Sequence, residues 1–551
     1  MLVANRGEIA IRIIRACQEL GIRTVAIYSD ADKRSFYYRI ADEARNIRGS
    51  NARDTYLNIE KVLDVAKETG CAAVHPGYGF LSENPDFASA CEETGIKFIG
   101  PSSVCMKKIA DKAHIKKTMQ SNGIPVLPSI ESQFDPVRLR ALVREMGFPV
   151  IVKPSFGGGG KGMRIVRSEA DLDDALRYAQ AIGRSAFRNA AFYIERYLER
   201  PRHVEAQILA DSDGKIIALG ERECSIQRSH QKLIEESPSP ALTPEKRAEI
   251  IRLAKEAAGV VDYENAGTIE FLYHGGNFYF LEVNGRIQVE HSVTELVTGM
   301  DLIKEQIRIA GGGKLGKARR DAPANGWAIQ CRINAEDPYN QFAPSPGKII
   351  GYRAPGGMGV RVDTGIFMGY TIPTQYDSLV SKLSVWGIDR SEAASRMRRV
   401  LSEYVILGIK TLLPLHRAIF RERHFLDGDY DTNYIEEHFD ELMESMKQVE
   451  KSEKSHDELL AEVFSNYCEV FLKEPLEPVA DVVASGEPHE GAASEEEVVA
   501  AIAGAIAAEL ESAEALARSQ TREGITPNSW AAAGRIIQMN QRLPGGSRKR
   551  P

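Results

Sequence analysis

The chain has few of the residues that would take it out of the ordinary aqueous class. Seven cysteines are scattered through 551 residues. None forms a C-x-x-C pair or a Cys/His cluster at zinc spacing, which argues against a disulfide scaffold or a zinc module and points to reduced thiols in a cytosol. Positive charge is not in excess. Seventy Lys and Arg stand against 77 Asp and Glu, a net charge of −7, which argues against a nucleic-acid surface. Long apolar runs are missing. VVAAIAGAIAA (498–508) falls well short of the ~20 residues a spanning helix needs. The opening MLVANRGEIAIRII has no charged segment followed by an apolar one, so no secretory signal is read. The expectation is a cytoplasmic protein with no transmembrane segment. Two phosphate-binding signatures are absent as well. The first turn, NRGE, lacks G-x-G-x-x-G, which argues against a dinucleotide there. GGGGKGMR fails as a P-loop because Lys161 is followed by Gly162 and position 155 is Ser.

What is present is a sequence of units. At roughly 150 residues per domain, the length implies three or four. Over 1–100, LVAN, TVAIY, AAVHP and KFIG alternate with helical patterns at IAIRIIRACQEL, about Asn58–Glu68 and about Phe87–Glu93. This order implies a doubly wound parallel sheet. From a helix holding Lys112 the chain runs into FPVIVKPSFGGGGKGMRIV, two strand-like runs flanking a glycine loop. Residues 201–310 read as strand-rich, with hairpin turns at DSDG (211–214) and HGGN (274–277). GGGK (311–314) to about Asn325 reads as a linker, and 326–440 as a further α+β unit. After about Leu442 come a charged helix, an acidic Pro/Ala/Gly stretch expected to be disordered, an Ala-rich helix (EEEVVAAIAGAIAAELESAEALA) and a short amphipathic segment (NSWAAAGRIIQMNQR).

Two features carry chemistry. A run of glycines lets backbone N–H groups approach phosphate oxygens. On the loop alone a flexible hairpin tip explains it equally well; Lys153 and Lys161 tilt the reading toward a lid over a polyphosphate. The second feature is FLEVNGRIQVEH (280–291). Glu282, Asn284, Arg286, Gln288 and Glu290 alternate with Leu281, Val283, Gly285, Ile287 and Val289, a period of two that predicts one strand with these five on one face. Folding GTIEFLYH back through HGGN brings Glu270 onto the face of Glu282. Two carboxylates and the Asn284 amide oxygen make a hard site suited to Mg²⁺. Arg286 and Gln288 are donors for a small oxyanion, and Glu290 is a candidate general base. A solvated acidic face is the bland alternative.

HPGYGFLSEN (75–84), KPSFGGGGKGMR (153–164), ERECSIQRSHQKLIEESPSP (221–240), GTIEF (267–271), LEVNGRIQVEHSVTE (281–295) and CRINAEDP (331–338) together resemble the biotin carboxylase component of biotin-dependent carboxylases, over roughly residues 1–440. The resemblance implies an N-terminal domain (1–109), an ATP-grasp domain (110–322, lid about 127–200), a C-terminal α+β domain (323–440) and a tail (441–551). It implies ATP phosphates bound by Lys112, Lys153, Gly158, Gly159, Gly160 and Lys161. The adenine would lie on Glu195 and the backbone to Leu198, with His203 nearby and Gln227, His230 and Lys232 facing the phosphates and the reacting centre. Glu270, Glu282 and Asn284 would hold Mg²⁺ or Mn²⁺. Bicarbonate would bind Arg286, Gln288 and the Val289 backbone, with Glu290 as its base. Arg332, with Tyr78 close by, would meet biotin and stabilise its enolate. His75 and His291 receive no role, and Cys224 and Cys331 read as small buried residues.

The implied reaction is ATP-dependent carboxylation of biotin through carboxyphosphate. The chain holds no biotin-accepting Lys between two Met residues, so biotin is expected in trans, on a carrier protein that also serves a carboxyltransferase subunit of an acyl-CoA or pyruvate carboxylase. A homodimer is the family's common state. Two short tail segments faintly resemble the soluble tail of the small subunit of biotin-dependent decarboxylase sodium pumps, and a docking peptide is the expectation there, with an unselected disordered extension as the bland alternative. Another ATP-grasp ligase and a non-catalytic scaffold remain as alternatives. The chain departs from the family where Gly285 replaces a Thr, which predicts looser packing, where Ser292 replaces a Pro, and where the chain starts a few residues into the first strand.

Overall fold

The computed structural model describes residues 1–131, 136–154, 163–187, 192–316, 324–449 and 451. Lys161, the glycines of its loop and all of 452–551 lie outside the described residues, and with them every expectation for the tail beyond 451.

Apolar residues at helical spacing make Gly7–Glu19 a helix with Ile9, Ala10, Ile13, Ile14 and Cys17 buried. Asn58 and Asn84 cap the next two helices, Ile59–Glu68 and Pro85–Glu93, by accepting from backbone N–H groups of their first turns. These helices serve a five-stranded parallel sheet whose spatial order is Glu43–Asn46, Val25–Tyr28, Leu2–Val3, Ala73–His75, Lys97–Phe98. The doubly wound reading holds. Glu43–Asn46 was not legible as a strand because ADEARN carries two acids and an arginine in six residues.

The strand Val150–Pro154 pairs antiparallel with Arg164–Val166 on one side and Phe192–Arg196 on the other, and Ser129–Glu131 completes a small four-stranded sheet. The hairpin expected around the glycine loop is therefore present. The core under this sheet is its own, made by Val150, Val152, Val166 and Ile194 with Leu139, Val143, Leu172 and Ala175 from two helices.

A larger antiparallel sheet carries the chemistry. Its order is Asn277–Asn284, Asn265–His274, Arg202–Ala210, Ile216–Arg228, Gln231–Ser237, Trp327–Asn334, Leu379–Gly387, Val360–Thr364. It runs unbroken from the strand-rich segment into the following α+β unit through the pairing of Gln231–Ser237 with Trp327–Asn334. The segment read only as strand-rich also holds three helices, Pro244–Val260, His291–Thr298 and Leu302–Ala310. Among the described residues no helix is long and apolar enough to cross a membrane.

Candidate active site

The HGGN turn folds as expected. Gly275 and Gly276 both take positive φ, 56° and 79°, the pair of left-handed residues that a tight two-residue hairpin demands. The resulting register places Glu270 directly opposite Glu282, and on the other side Glu270 faces Glu205. Three carboxylates thus stand in a row across neighbouring strands. Like charges so close are tolerable only if cations are built in beside them.

Those cations are present. Lys232 Nζ lies 2.7 Å from Glu205, 3.0 Å from Glu270 and 2.8 Å from Glu290, using all three of its donors. Lys112, at the start of a helix capped by Asp111, donates to Glu282 at 2.6 Å. Arg222, buried completely, donates to Glu205, Gln207, Thr268 and Thr294. Burial alone would raise the carboxyls of Glu270 and Glu282. Lys232 and His203 overcome it at Glu270, and Lys112 at Glu282, so that each is held down at about 2. Both are anions at neutral pH.

One expectation about the strand is corrected here. The strand ends at Asn284, and 285–290 leave the sheet as a loop before the helix His291–Thr298. The side chains converge all the same. Arg286 donates to Asn284 Oδ1 (3.1 Å) and Gln288 Oε1 (2.9 Å) and pairs with Glu83 (3.0 Å). Asn284 and Gln288 in turn donate to Glu270 Oε1. Glu290 accepts from Lys232 on one oxygen and from Arg332, at 2.8 Å, on the other. Burial works against its charge, but Lys232, Arg332 and Arg222 hold its carboxyl below the usual range. A second correction concerns Gly285. A Cβ there would come within 2.9 Å of Ile109 Cδ1 and 3.3 Å of Pro101 Cγ, so the position is tightly filled and not loosely packed. Ser292 is buried and bonds Gln330 and Ser384 side chains.

These groups surround a cavity of about 1000 Å³. Tyr78, Lys112, Lys153, Glu195, Leu198, His203, Gln227, His230, Lys232, Glu270, Glu282, Arg286, Gln288, Val289 and Arg332 all line it. Asn284 and Glu290 sit behind that wall, bonded to it. Leu127, Ile151, Met163, Leu198, Leu272 and Leu281 add apolar surface to the lining. His230 stands in a two-residue turn with Ser229, both at positive φ; burial, then Lys153 and His203, push its pKa down. The Glu195 carboxylate is wedged between Lys116 and Lys153, and burial brings Lys116 down to about 8. Cys224 and Cys331 are fully buried, as read.

Residues 1–106 match the family described as biotin carboxylase, N-terminal domain; 111–318 match carbamoyl-phosphate synthase L chain, ATP binding domain; and 330–437 match the biotin carboxylase C-terminal domain. The chain is a member of the biotin carboxylase family. Among its relatives are a pyruvate carboxylase subunit of Methanothermobacter thermautotrophicus, 52% identical over 465 residues (84% of this chain, 95% of that protein), and biotin carboxylase 1 of Bacillus subtilis, 50% identical over 439 residues (79% and 98%). Among solved structures, a Campylobacter jejuni biotin carboxylase–βγ-ATP complex superposes with a TM-score of 0.77 at 42% identity (79% and 98%). The biotin carboxylase domain dimer of Hydrogenobacter thermophilus 2-oxoglutarate carboxylase, bound to MgADP, ADP and bicarbonate, also gives 0.77, at 48% identity (79% and 97%). As a biotin carboxylase family member, the chain has the ATP-grasp fold.

Several residues of the site escaped the sequence reading: Glu205, Arg222, Glu235, Lys116, Glu83 and Lys382. Glu235 accepts from Arg332 Nε and Gln330, and Lys382 is completely buried. Glu205 stands in HVEAQILAD, but the strand that pairs it with Glu270 follows only after two more strands and a helix, so no hairpin register points to it.

Proposed function

We propose that the chain carboxylates biotin with ATP and bicarbonate, with each site residue in the role its family position implies. The observation that carries this reading is one cavity lined by the facing Glu270–Glu282 pair, the Arg286–Gln288 pair, Lys232 and Arg332, with Glu290 held behind its wall by the last two. Glu270, Glu282 and the Asn284 amide oxygen suit Mg²⁺ or Mn²⁺, being hard oxygen donors already ionised. A divalent cation there supplies charge neutralisation at the phosphates. Lys112, Lys153, Lys161 and Gly158–Gly160 hold the phosphates. Leu198 and the backbone from Glu195 take the adenine, with His203, Gln227 and His230 along the nucleotide. Arg286, Gln288 and the Val289 N–H orient bicarbonate for in-line attack. Its proton passes to Glu290, whose oxygens each keep a lone pair beyond their present bonds. A bicarbonate oxygen bonds the γ-phosphorus as the bond to ADP breaks, giving carboxyphosphate. That intermediate splits into CO₂ and phosphate, the phosphate takes the ureido N–H proton of biotin held against Arg332 and Tyr78, and CO₂ bonds the nitrogen so freed. Closure of the lid segment, about 127–200, keeps water from the intermediate.

The same reading assigns 1–109, 110–322 and 323–440 as the three domains of the component and 441–551 as a partner-docking tail. It has biotin arriving on a separate carrier protein shared with a carboxyltransferase subunit, the enzyme a homodimer, and the compartment reducing, in keeping with six buried unpaired thiols among the described residues. The test is ATP hydrolysis with and without bicarbonate and free biotin. Both should be required, and Glu290→Gln should lower the rate by on the order of 10²–10⁴. ADP release with an amine acceptor and none with biotin would move the assignment to another ATP-grasp ligase.

A further inference from the structure

The loop 285–290 has left the sheet, so its backbone groups lack ladder partners and something else must hold them. The His291 backbone N–H donates to the Gln288 carbonyl oxygen at 3.3 Å, and two buried side chains add further holds. His291 Nδ1 lies 2.7 Å from the Gln288 carbonyl oxygen, and Lys382 Nζ donates to the Val289 carbonyl oxygen at 3.1 Å. Neither side chain shows any exposed surface, and neither lines the cavity.

We propose that His291 and Lys382 are positioning residues that fix two consecutive peptide planes and thereby aim the Val289 N–H that binds bicarbonate. The inference rests on the functional reading above. In a trans peptide the C=O and the following N–H point in opposite directions within one plane. A hand on the Gln288 oxygen therefore sets the direction of the Val289 N–H, and a hand on the Val289 oxygen sets that of the Glu290 N–H. Among the described residues the Val289 N–H donates to no other protein group, and Val289 lies on the cavity wall. A donor fixed in advance costs no reorganisation when charge arrives, the logic of an oxyanion hole.

The histidine is arranged for this. Its Nε2 is buried with no hydrogen-bond partner, 3.8 Å from Glu295 Oε2. The Gln288 carbonyl oxygen can only accept, so at 2.7 Å it requires the proton on Nδ1, and in the neutral ring Nε2 keeps the lone pair. Burial, reinforced by Lys382, Arg361 and Arg12, keeps the ring neutral. Lys382 is held from the opposite side. Its ammonium lies 3.2 Å from Glu8 Oε2 on the first helix, 3.9 Å from Asp363 and 5.7 Å from the centre of the Tyr78 ring. The loop is thus tied, through one lysine of the strand Leu379–Gly387, to the first helix, Gly7–Glu19.

The test is steady-state ATP hydrolysis by the full chain at saturating biotin, with bicarbonate and ATP varied in turn and melting followed alongside. His291→Ala should raise the bicarbonate KM on the order of tenfold, the equivalent of one oriented hydrogen bond, and leave the ATP KM within about a factor of two. His291→Asn, whose amide can donate from nearly the Nδ1 position, should recover most of the loss, which a merely structural role would not require. Lys382→Met should move the bicarbonate KM in the same direction, and it decides the matter if His291→Ala does not fold. An unchanged bicarbonate KM in folded variants, equal movement of both KM values, or an Asn variant no better than Ala overturns the proposal. Wild-type hydrolysis indifferent to bicarbonate overturns the functional reading itself, and the proposal with it.

Discussion

Replacing Lys232 by methionine keeps the length of the side chain and removes the one cation that touches Glu205, Glu270 and Glu290 together. At 2.8 Å from Glu290 the Coulomb attraction is about 6 kcal/mol at an effective dielectric of about 20. Taking one partner out of a buried ion cluster typically costs 3–5 kcal/mol, because the charges left behind stay desolvated. Protonation of a carboxylate relieves that cost. Burial pushes the Glu290 carboxyl up and Lys232 is the leading group that pulls it down, so without Lys232 its pKa rises. If Glu290 must be ionised to accept the bicarbonate proton, the acid limb of kcat/KM for bicarbonate moves to higher pH by at least about one unit, which is ~1.4 kcal/mol and a modest share of the attraction removed. The assay is the pH–rate profile of bicarbonate-dependent ATP hydrolysis, wild type against Lys232→Met, with urea unfolding in parallel. Adding Glu205→Gln should return part of the stability by restoring the charge balance, since the two sites are in contact and their effects are not additive. An acid limb that stays in place in a folded Lys232→Met protein would refute the assignment of Glu290 as the base held ionised by this lysine.

Other predictions follow from the same packing and charges. Gly285→Thr should destabilise by about 1–3 kcal/mol through overpacking against Ile109 and Pro101, and Ile109→Val in the same chain should relieve part of it; equal melting temperatures for Gly285→Thr and wild type would contradict this. Glu270, held at about 2 against an ordinary 4.5, contributes about 3 kcal/mol that is fully present above pH 4.5 and disappears as pH falls through 2. The stability gap between wild type and Glu270→Gln should therefore narrow across that window in urea titrations, and a constant gap would count against it. Deleting 452–551 should leave hydrolysis driven by free biotin unchanged and weaken binding of the biotinylated partner protein, measured by titration with the purified partner; unchanged binding would remove the docking role proposed for the tail.

The parts of this fold that were legible were those where one physical rule acts alone. Ile9, Ile13 and Cys17 mark a helix because only one face of it is buried, and HGGN marks a hairpin because two consecutive left-handed residues want glycine. The strand Ile216–Arg228 shows the limit. Its residues are buried almost throughout, so both faces are covered and alternation no longer separates inside from outside. Arg222 reads as a solvent-facing residue in such a run, yet it is the fully buried partner of Glu205. Lys116 and Lys382 were hidden for the same reason. A cation placed to balance carboxylates that arrive from distant strands leaves no local pattern.

Residues 281–290 show why a reading can be wrong about the backbone and right about the site. Period two required a strand throughout, but Asn284 is the last residue with a partner, Thr268, and Gly285 after it leaves no room for a Cβ beside Ile109 and Pro101. Beyond it, Arg286, Gln288 and Glu290 converge by a different route. Arg286 reaches Asn284 and Gln288, Gln288 reaches Glu270, and Lys232 and Arg332 draw in Glu290. The freed carbonyls of Gln288 and Val289 turn to His291 and Lys382. In a continued edge strand those groups would lie in the plane of the sheet, alternately toward Asn265–His274 and away from it. Leaving the sheet frees them from that plane and brings a backbone donor to the cavity wall, so the break in the ladder after Asn284 belongs to the chemistry as much as the charged residues that follow it.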